Sequence, residues 1–217
     1  TYYVDFKSIA MNAYTSPETG IRMDVSIYDL ARDTMQIDTI RAEMHQDSLG
    51  ILYSAQVIKN KYRQQQPFNA RLDGQIRYGF GDARLYFKDG KGKIGLLLGI
   101  RADKIQNGVK FHFFPDDPII AFRPFKLNPD NYVAVHSMKD IEANLRLSGD
   151  NNASLWIHSQ AENDEMEEVH AELNQIDLAI ISNAFSYIPP MKGILNADFQ
   201  YAPSDSAFMV VADMNID

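Results

Sequence analysis

Histidine is the side chain here best able to ligate a metal or pass a proton near neutral pH, and the chain has five. His45, His112, His136, His158 and His170 are scattered at spacings that fit no metal motif. None pairs with a glutamate in an H-E-x-x-H arrangement, so each reads as a surface or turn histidine. The densest carboxylates run from Glu162 to Glu168 (ENDEMEE). They lack the regular alternation and the glycine of a calcium loop and read as a solvated loop. Asp116-Asp117 lies between prolines and reads as a turn cap, not as a general acid and base. Gly79-x-Gly81 and Gly90-x-Gly92 imitate phosphate loops, but no helix pattern follows either and the lysine-serine pair is missing. Both read as hairpin turns. No serine sits in a G-x-S-x-G elbow, and the absence of cysteine removes disulfides and thiolate metal ligands. The expectation is a protein with no catalytic residues, no metal and no cofactor.

What remains is apolar surface. Ile94, Leu96, Leu98 and Ile100 alternate with small or apolar neighbours, and Phe111 and Phe113 follow the Asn107-Gly108 turn. Leu195, Phe199, Phe208, Val210, Met214 and Ile216 continue the theme near the end of the chain. The pattern offers few helices to cover these faces, and an uncovered apolar sheet face is an interface or a lipid site. These twelve residues are the candidate groove, with a plain hydrophobic core as the competing reading. Nine methionines suit a surface that adapts to flexible chains.

Composition bounds the class. Hydrophobic residues are 45% and charged residues 23% of 217, as expected of a folded chain able to bury a core. A net charge of −8 argues against a nucleic-acid surface. No apolar run is long enough to span a membrane as a helix, and TYYVDFKSIAM lacks a signal peptide's apolar core. Both ends read as mid-strand, so the chain is expected to be an interior piece of something longer.

The elements that would position the apolar faces are strands of period two. Tyr2, Val4 and Phe6 open one, and Ile21 to Ile27 alternates after a turn at Ser16 to Gly20. For 28–36 a helical reading stands beside the strand reading. Leu49 to Val57 forms the next face, and Asn60 to Gln66 reads as a long turn. Leu72 to Tyr78 is followed by a turn at Gly79-Phe80-Gly81-Asp82, and Ala83 to Phe87 by one at Asp89 to Gly92. Pro115 to Pro118 is expected to break the run before Ile119 to Phe122. Ile141 to Leu147 meets a turn at Ser148 to Asn152, and Leu155 to His158 returns. The clearest helix is expected at 176–187. Ile176, Ile180, Ala184 and Ile188 recur every four residues, Asn174 sits ahead as N-cap, and Pro189-Pro190 stops it. Lys192-Gly193 then opens a strand. If 193–201 and 207–216 pair through Ala202 to Ser206, Leu195, Ala197, Phe199 and Tyr201 share a face with Phe208, Val210, Ala212, Met214 and Ile216. The whole reads as at least ten strands, all-β and antiparallel or meandering. It is expected to form a single elongated sheet folded into a groove over 1–217, with loose repeats at 69–87, 140–157 and 191–210.

The unit at 175–217, a short apolar helix leading into Lys192-Gly193-Ile194-Leu195-Asn196-Ala197-Asp198-Phe199, resembles the repeats of the TamB/AsmA-like family of envelope proteins. Phe125 to Val135 (FKLNPDNYVAV), followed by IEANLRLSGDNNASLWIHS, is similar to that family's inter-repeat strands. The likeness covers 125–217 in its motifs and 1–124 only in general pattern. It implies a taco-like β-groove in the periplasm, within an inner-membrane-anchored protein, that carries phospholipid towards the outer membrane. Phospholipid acyl chains, adjacent repeats of the parent chain and an outer-membrane assembly-factor barrel protein are the partners it implies. The family has no catalytic residues to carry over, and its N-terminal anchor and C-terminal partner-binding end are not in this sequence. Two other classes stay open. One is a β-sandwich binding module, an adhesin or glycan binder, in which Trp156, Tyr28, Tyr62 and Tyr86 stack on sugar. The other is a structural spacer whose apolar face a neighbouring repeat or second chain covers.

Overall fold

The computed structural model describes residues 4–18, 20–32, 35–59, 67–137, 140–160, 168–184, 189–203 and 208–216. Among them the regular structure is sixteen strands, one α-helix and one short 3-10 turn. The fold is all-β and antiparallel, as the alternation predicts. No helix among the described residues is long and apolar enough to cross a membrane. The chain forms two compact units, Thr1–Gly99 and Ile100–Asp217.

The first unit contains β1 (Ser8–Ser16), β2 (Gly20–Arg32), β3 (Met35–Asp47), β4 (Gly50–Lys59), β5 (Phe68–Arg77), β6 (Phe80–Asp89) and the start of β7 (Ile94–Ile105). They lie side by side in chain order. The region 28–36 is strand where it is described, since residues 28–32 end β2 and 35–36 begin β3. The polar stretch 60–66 lies outside the described residues.

Turn chemistry sets these pairings. Between β3 and β4 the Asp47 carboxylate accepts hydrogen bonds from the backbone N–H of Leu49 (2.8 Å) and Gly50 (2.9 Å), and from the Arg77 guanidinium of β5. Leu49 therefore sits at the tip of a turn, 71% exposed, and not on a strand face. Only glycine fits at position 50, because a Cβ there would lie 2.2 Å from the Ile76 carbonyl oxygen. The β5–β6 turn is Tyr78-Gly79, with Gly79 at φ +86°, a conformation glycine adopts without a Cβ penalty. It thus precedes the expected Gly79–Asp82 turn. Phe80, Gly81 and Asp82 already belong to β6, and Tyr78 stands in solvent. The turn after Asp89 is as read, with the Asp89 carboxylate accepting from the N–H of Lys91 and Lys93.

The second unit contains the rest of β7, β8 (Gly108–Ile120), β9 (Arg123–Pro124), β10 (Lys126–Leu127), β11 (Tyr132–Ser137), β12 (Asp140–Ser148), β13 (Ser154–Gln160), β14 (Glu168–Asp177), α1 (Leu178–Ala184), β15 (Ile194–Pro203) and β16 (Phe208–Ile216). From β8 the order runs β8-β11-β12-β13-β14-β15-β16, with β9 folded back on β8 and β10 on β12. The break expected at Pro115 to Pro118 does not occur, because β8 runs through both prolines with Asp116 and Asp117 exposed. On the β11 side the ladder takes only Val109 to Phe111, so the prolines owe no N–H there. Beyond it the buried Asn131 side chain replaces a strand. Its Oδ1 accepts from Phe113 N–H (2.8 Å), and its Nδ2 donates to the carbonyls of Phe113 (3.2 Å) and Asn128 (3.0 Å).

The helix is shorter than its periodicity suggests. Ile176 and Asp177 remain in β14, and α1 begins at Leu178. Asp177, not Asn174, is the cap, since its Oδ1 accepts from the N–H of Ala179 (2.9 Å) and Ile180 (3.4 Å). The reason is a β-bulge between Leu173 and Ile176, where Gln175 takes φ +52°. Asn196 Oδ1 holds it by accepting from Gln175 N–H (2.9 Å) and Nε2 (3.2 Å). The extra residue returns Ile176 to the strand face of Leu173, so one of the helix's expected apolar positions belongs to the sheet. Phe185 and Ile188 lie outside the described residues, as do 162–167 of the acidic run and 204–207 of the last hairpin.

The Asp47 turn gives a pH-dependent prediction. The Arg77 hydrogen bond, with the Leu49 and Gly50 N–H groups, holds the Asp47 carboxyl down at about 2, from 3.8. A depressed carboxylate adds stability above its ordinary pKa and loses that contribution as pH falls through the depressed value. The thermal midpoint of Asp47→Asn should therefore lie below that of the parent at about pH 6, with the gap closing between about pH 4 and about pH 2. A gap independent of pH, followed by circular dichroism, would show that the charge of Asp47 does no such work.

Candidate apolar face

Because side chains alternate, an antiparallel register carries one apolar residue onto the next across the whole sheet. In the second unit Leu147, Leu155, Leu173, Ala197 and Met214 stand opposite one another in sequence from β12 to β16. A parallel row runs Leu145, Ile157, Ala171, Phe199 and Ala212. Ile176, Leu195 and Ile216 form a third, and Tyr201 with Val210 extends the face at the other end of the hairpin. Through Val133 and Ala143 the face reaches Phe111. Each cross-strand apolar pair contributes about 0.2–1 kcal/mol, so the rows stabilise the sheet they line.

The predicted residues distribute as follows. Leu195, Phe199, Val210, Met214 and Ile216 come together on one face of the β15–β16 hairpin, as expected. Phe208 pairs with Pro203 at the start of β16. Phe111 joins through β11, whereas Phe113 lies past that ladder with its backbone on Asn131. Ile100 lies on β7 in the second unit, while Ile94, Leu96 and Leu98 belong to the first. They are half-buried.

The first unit holds rows that sequence reasoning did not single out. Ile9, Ile27, Ile40, Val57, Ala70 and Phe87 stand opposite one another from β1 to β6. Met11, Val25, Ala42, Ala55, Leu72 and Leu85 do the same. The signal was the same alternation, present in these segments but not followed from strand to strand. Burial differs along the rows. Leu145 is 5% exposed, whereas Val210 and Met214 are 59% and 64% exposed on the last strand.

In the second unit the opposite face carries ionisable residues in rows of its own. Asn144, His158, His170 and Gln200 form one cross-strand row and Arg146, Trp156, Glu172, Asp198 and Asp213 the next. All five histidines lie on strands, not on turns, and His158 is buried. The His158 ring stacks on Trp156 (centroids 3.9 Å apart) and on His170 (5.3 Å), with its Nε2 3.3 Å from Glu172 Oε1. The Arg146 guanidinium lies 5.7 Å from the Trp156 ring centre. Trp156 is thus packed by its neighbours. Tyr28 and Tyr86 are half-buried on β2 and β6, and Tyr62 lies outside the described residues.

The β11–β12 hairpin brings together His136, Asp140 and Glu142, whose ligand atoms lie within 4.8 Å of one another. Their separation along the sequence did not reveal this, because a bulge between Val135 and Ser137 decides it. His136 Nε2 lies 3.7 Å from Glu142 Oε1, an ion pair when the ring is protonated. In the first unit the Tyr53 hydroxyl donates to the Asp82 carbonyl (2.7 Å). Burial, with the Asp82 and Asp73 carboxylates, pushes its pKa up and keeps it a donor.

No protein-family model, no curated protein and no solved structure matches the chain.

The burial gradient predicts unequal costs along one face. Leu145→Ala should destabilise the chain by roughly 2–5 kcal/mol, through lost contacts and a residual cavity. Val210→Ala, at an exposed edge, should cost less than about 0.5 kcal/mol. Urea unfolding measures both, and equal losses would mean that β16 is covered as deeply as β12.

Proposed function

We propose that the apolar face of this chain shields phospholipid acyl chains from water, as a segment of a lipid conduit between two membranes. The chain acts without catalysis, and the periplasm, a membrane-anchored parent and an outer-membrane barrel partner belong to the same proposal. The observation that carries it is the run of in-register apolar rows that ends on β16 with Val210, Met214 and Ile216 largely exposed. The resemblance of 125–217 to TamB/AsmA-like repeats supports the same reading.

The energetics explain why such a face suffices. Exposing one methylene to water costs about 0.8 kcal/mol, so a chain of roughly 16 carbons would cost on the order of 10 kcal/mol to move through water. Apolar rows lower that barrier with no chemical step. Where the rows lie open they carry no fixed charge, so a chain slides along them without meeting a deep well. Head groups stay in water. The glycan reading is less favoured, because Trp156 is already packed against His158 and Arg146.

Photo-crosslinking tests the proposal. A crosslinker at Phe199 or Val210 should capture phospholipid in cells, and one at Asp198 or Asp213, on the polar face, should not. Val210→Arg should abolish capture at Phe199 while leaving the fold intact, because position 210 is open enough to hydrate a charge. Equal capture from both faces, or capture of a protein neighbour alone at Phe199, would replace the conduit with the spacer reading.

A further inference from the structure

One end of the apolar face in the second unit is not open. There α1 and the turn after β8 close over the sheet and leave a cavity of about 290 Å³. Leu147, Leu155 and Leu173 from one apolar row form its floor, and Ile120, Ile180 and Ile181 line it from the covering elements. α1 is fixed in place, because Ser182 Oγ accepts from Met191 N–H (3.1 Å) and Leu178 N–H donates to the Gly193 carbonyl (3.0 Å). On the β8 side the turn is pinned by the Phe125 N–H, which donates to the Pro118 carbonyl (2.8 Å).

Two observations mark this cavity as a binding site and not a packing fault. The first is its polar complement. Asp177 in its wall is spent on capping α1, and Gln175 on Asn196. Arg123 and Asp150, also in the wall, make no side-chain hydrogen bond or ion pair among the described residues, with each other or with anything else. Among the described residues, a half-buried cation, Arg123, and an exposed anion, Asp150, thus stand unpaired at the rim of an apolar chamber, the composition of a site for an amphiphile. The second is backbone strain. Among the described residues, positive φ outside glycine occurs at Asp29, Ala121, Phe122, Asn151, Asn152 and Gln175. Ala121, Asn151 and Gln175 line the cavity, and Phe122 and Asn152 follow two of them in the chain. Such conformations gather where a site has been shaped against local preference.

We infer that this cavity seats the end of one acyl chain of a zwitterionic phospholipid, with Arg123 on the phosphate and Asp150 on the ammonium. The choice of ligand class rests on the acyl-chain reading of the face. Volume limits the length of chain. An apolar cavity of about 150 Å³ takes one benzene, so this one holds roughly ten to twelve carbons. A longer chain must run out along the open rows. The cavity is thus where a lipid pauses, and the face beyond it is where the remainder lies.

Calorimetry on the purified chain tests this with monoacyl phosphatidylethanolamines of about 8 to about 16 carbons, each below its micelle-forming concentration. Affinity should rise about fourfold for each methylene until the cavity is full, and level off near ten to twelve carbons. Arg123→Gln should weaken every member on the order of tenfold. Asp150→Asn should weaken the ethanolamine lipids and spare phosphatidylglycerol analogues of the same chain. Ile181→Trp should fill the chamber and shorten the plateau, and the unaltered chain's plateau stands as evidence if that variant does not fold. An affinity that climbs steadily to the longest chain, no binding at any length, or indifference to Arg123→Gln would each overturn the assignment. If lipid is still captured at Phe199 in any of those cases, the conduit stands without the pocket. A plateau in the unaltered chain with no capture at Phe199 leaves the pocket and removes the conduit.

Discussion

Everything in this molecule depends on antiparallel register. The side-chain period of a strand is two, so a slip of one residue would turn every apolar row into solvent and bring the opposite row inside. On the polar face that second row includes Arg146, Glu172, Asp198 and Asp213, which have no place in an apolar surface. The cost of a slip is therefore paid along the whole strand at once. Local chemistry guards against it, with Asp47 closing the β3–β4 turn and Arg77 reaching it from β5.

Irregularities serve the same constraint. The bulge at Asn174 and Gln175 adds a residue to β14 without losing the face, so that Ile176 opposes Leu195 as Leu173 opposes Ala197. Asn131 supplies by side chain the hydrogen bonds that a strand would give Phe113, and so lets β8 continue past the end of its ladder with β11. Each device keeps backbone groups satisfied where the ladder fails, which in a sheet this size matters as much as apolar burial.

Much of the fold was legible. Alternation located the strands, and Leu195 to Tyr201 with Val210 to Ile216 was readable as a hairpin sharing one apolar face, because one short link joins them and each has a single apolar side. Legibility failed where a local signal had two structural meanings. Pro115 and Pro118 read as a break, yet a strand tolerates proline where no partner requires its N–H. Ile176 matched a helical period, yet belongs to the sheet because a bulge intervenes. Histidines with no motif spacing read as surface or turn residues, yet His158 is buried and directly opposed to His170.

The sequence by itself determined which residues alternate, where most hairpins turn, and that the chain would be all-β with a polar and an apolar side to its strands. These are local properties, set by side-chain type and a period of two. Only the tertiary structure decided which residue of one strand meets which of the next, and hence that the rows of the first unit run unbroken from Ile9 to Phe87. It alone decided that Leu145 is enclosed while Met214 is open, and that α1 roofs one end of the face over Leu147, Leu155 and Leu173. Burial and enclosure depend on neighbours distant in the chain, and no window of sequence contains them.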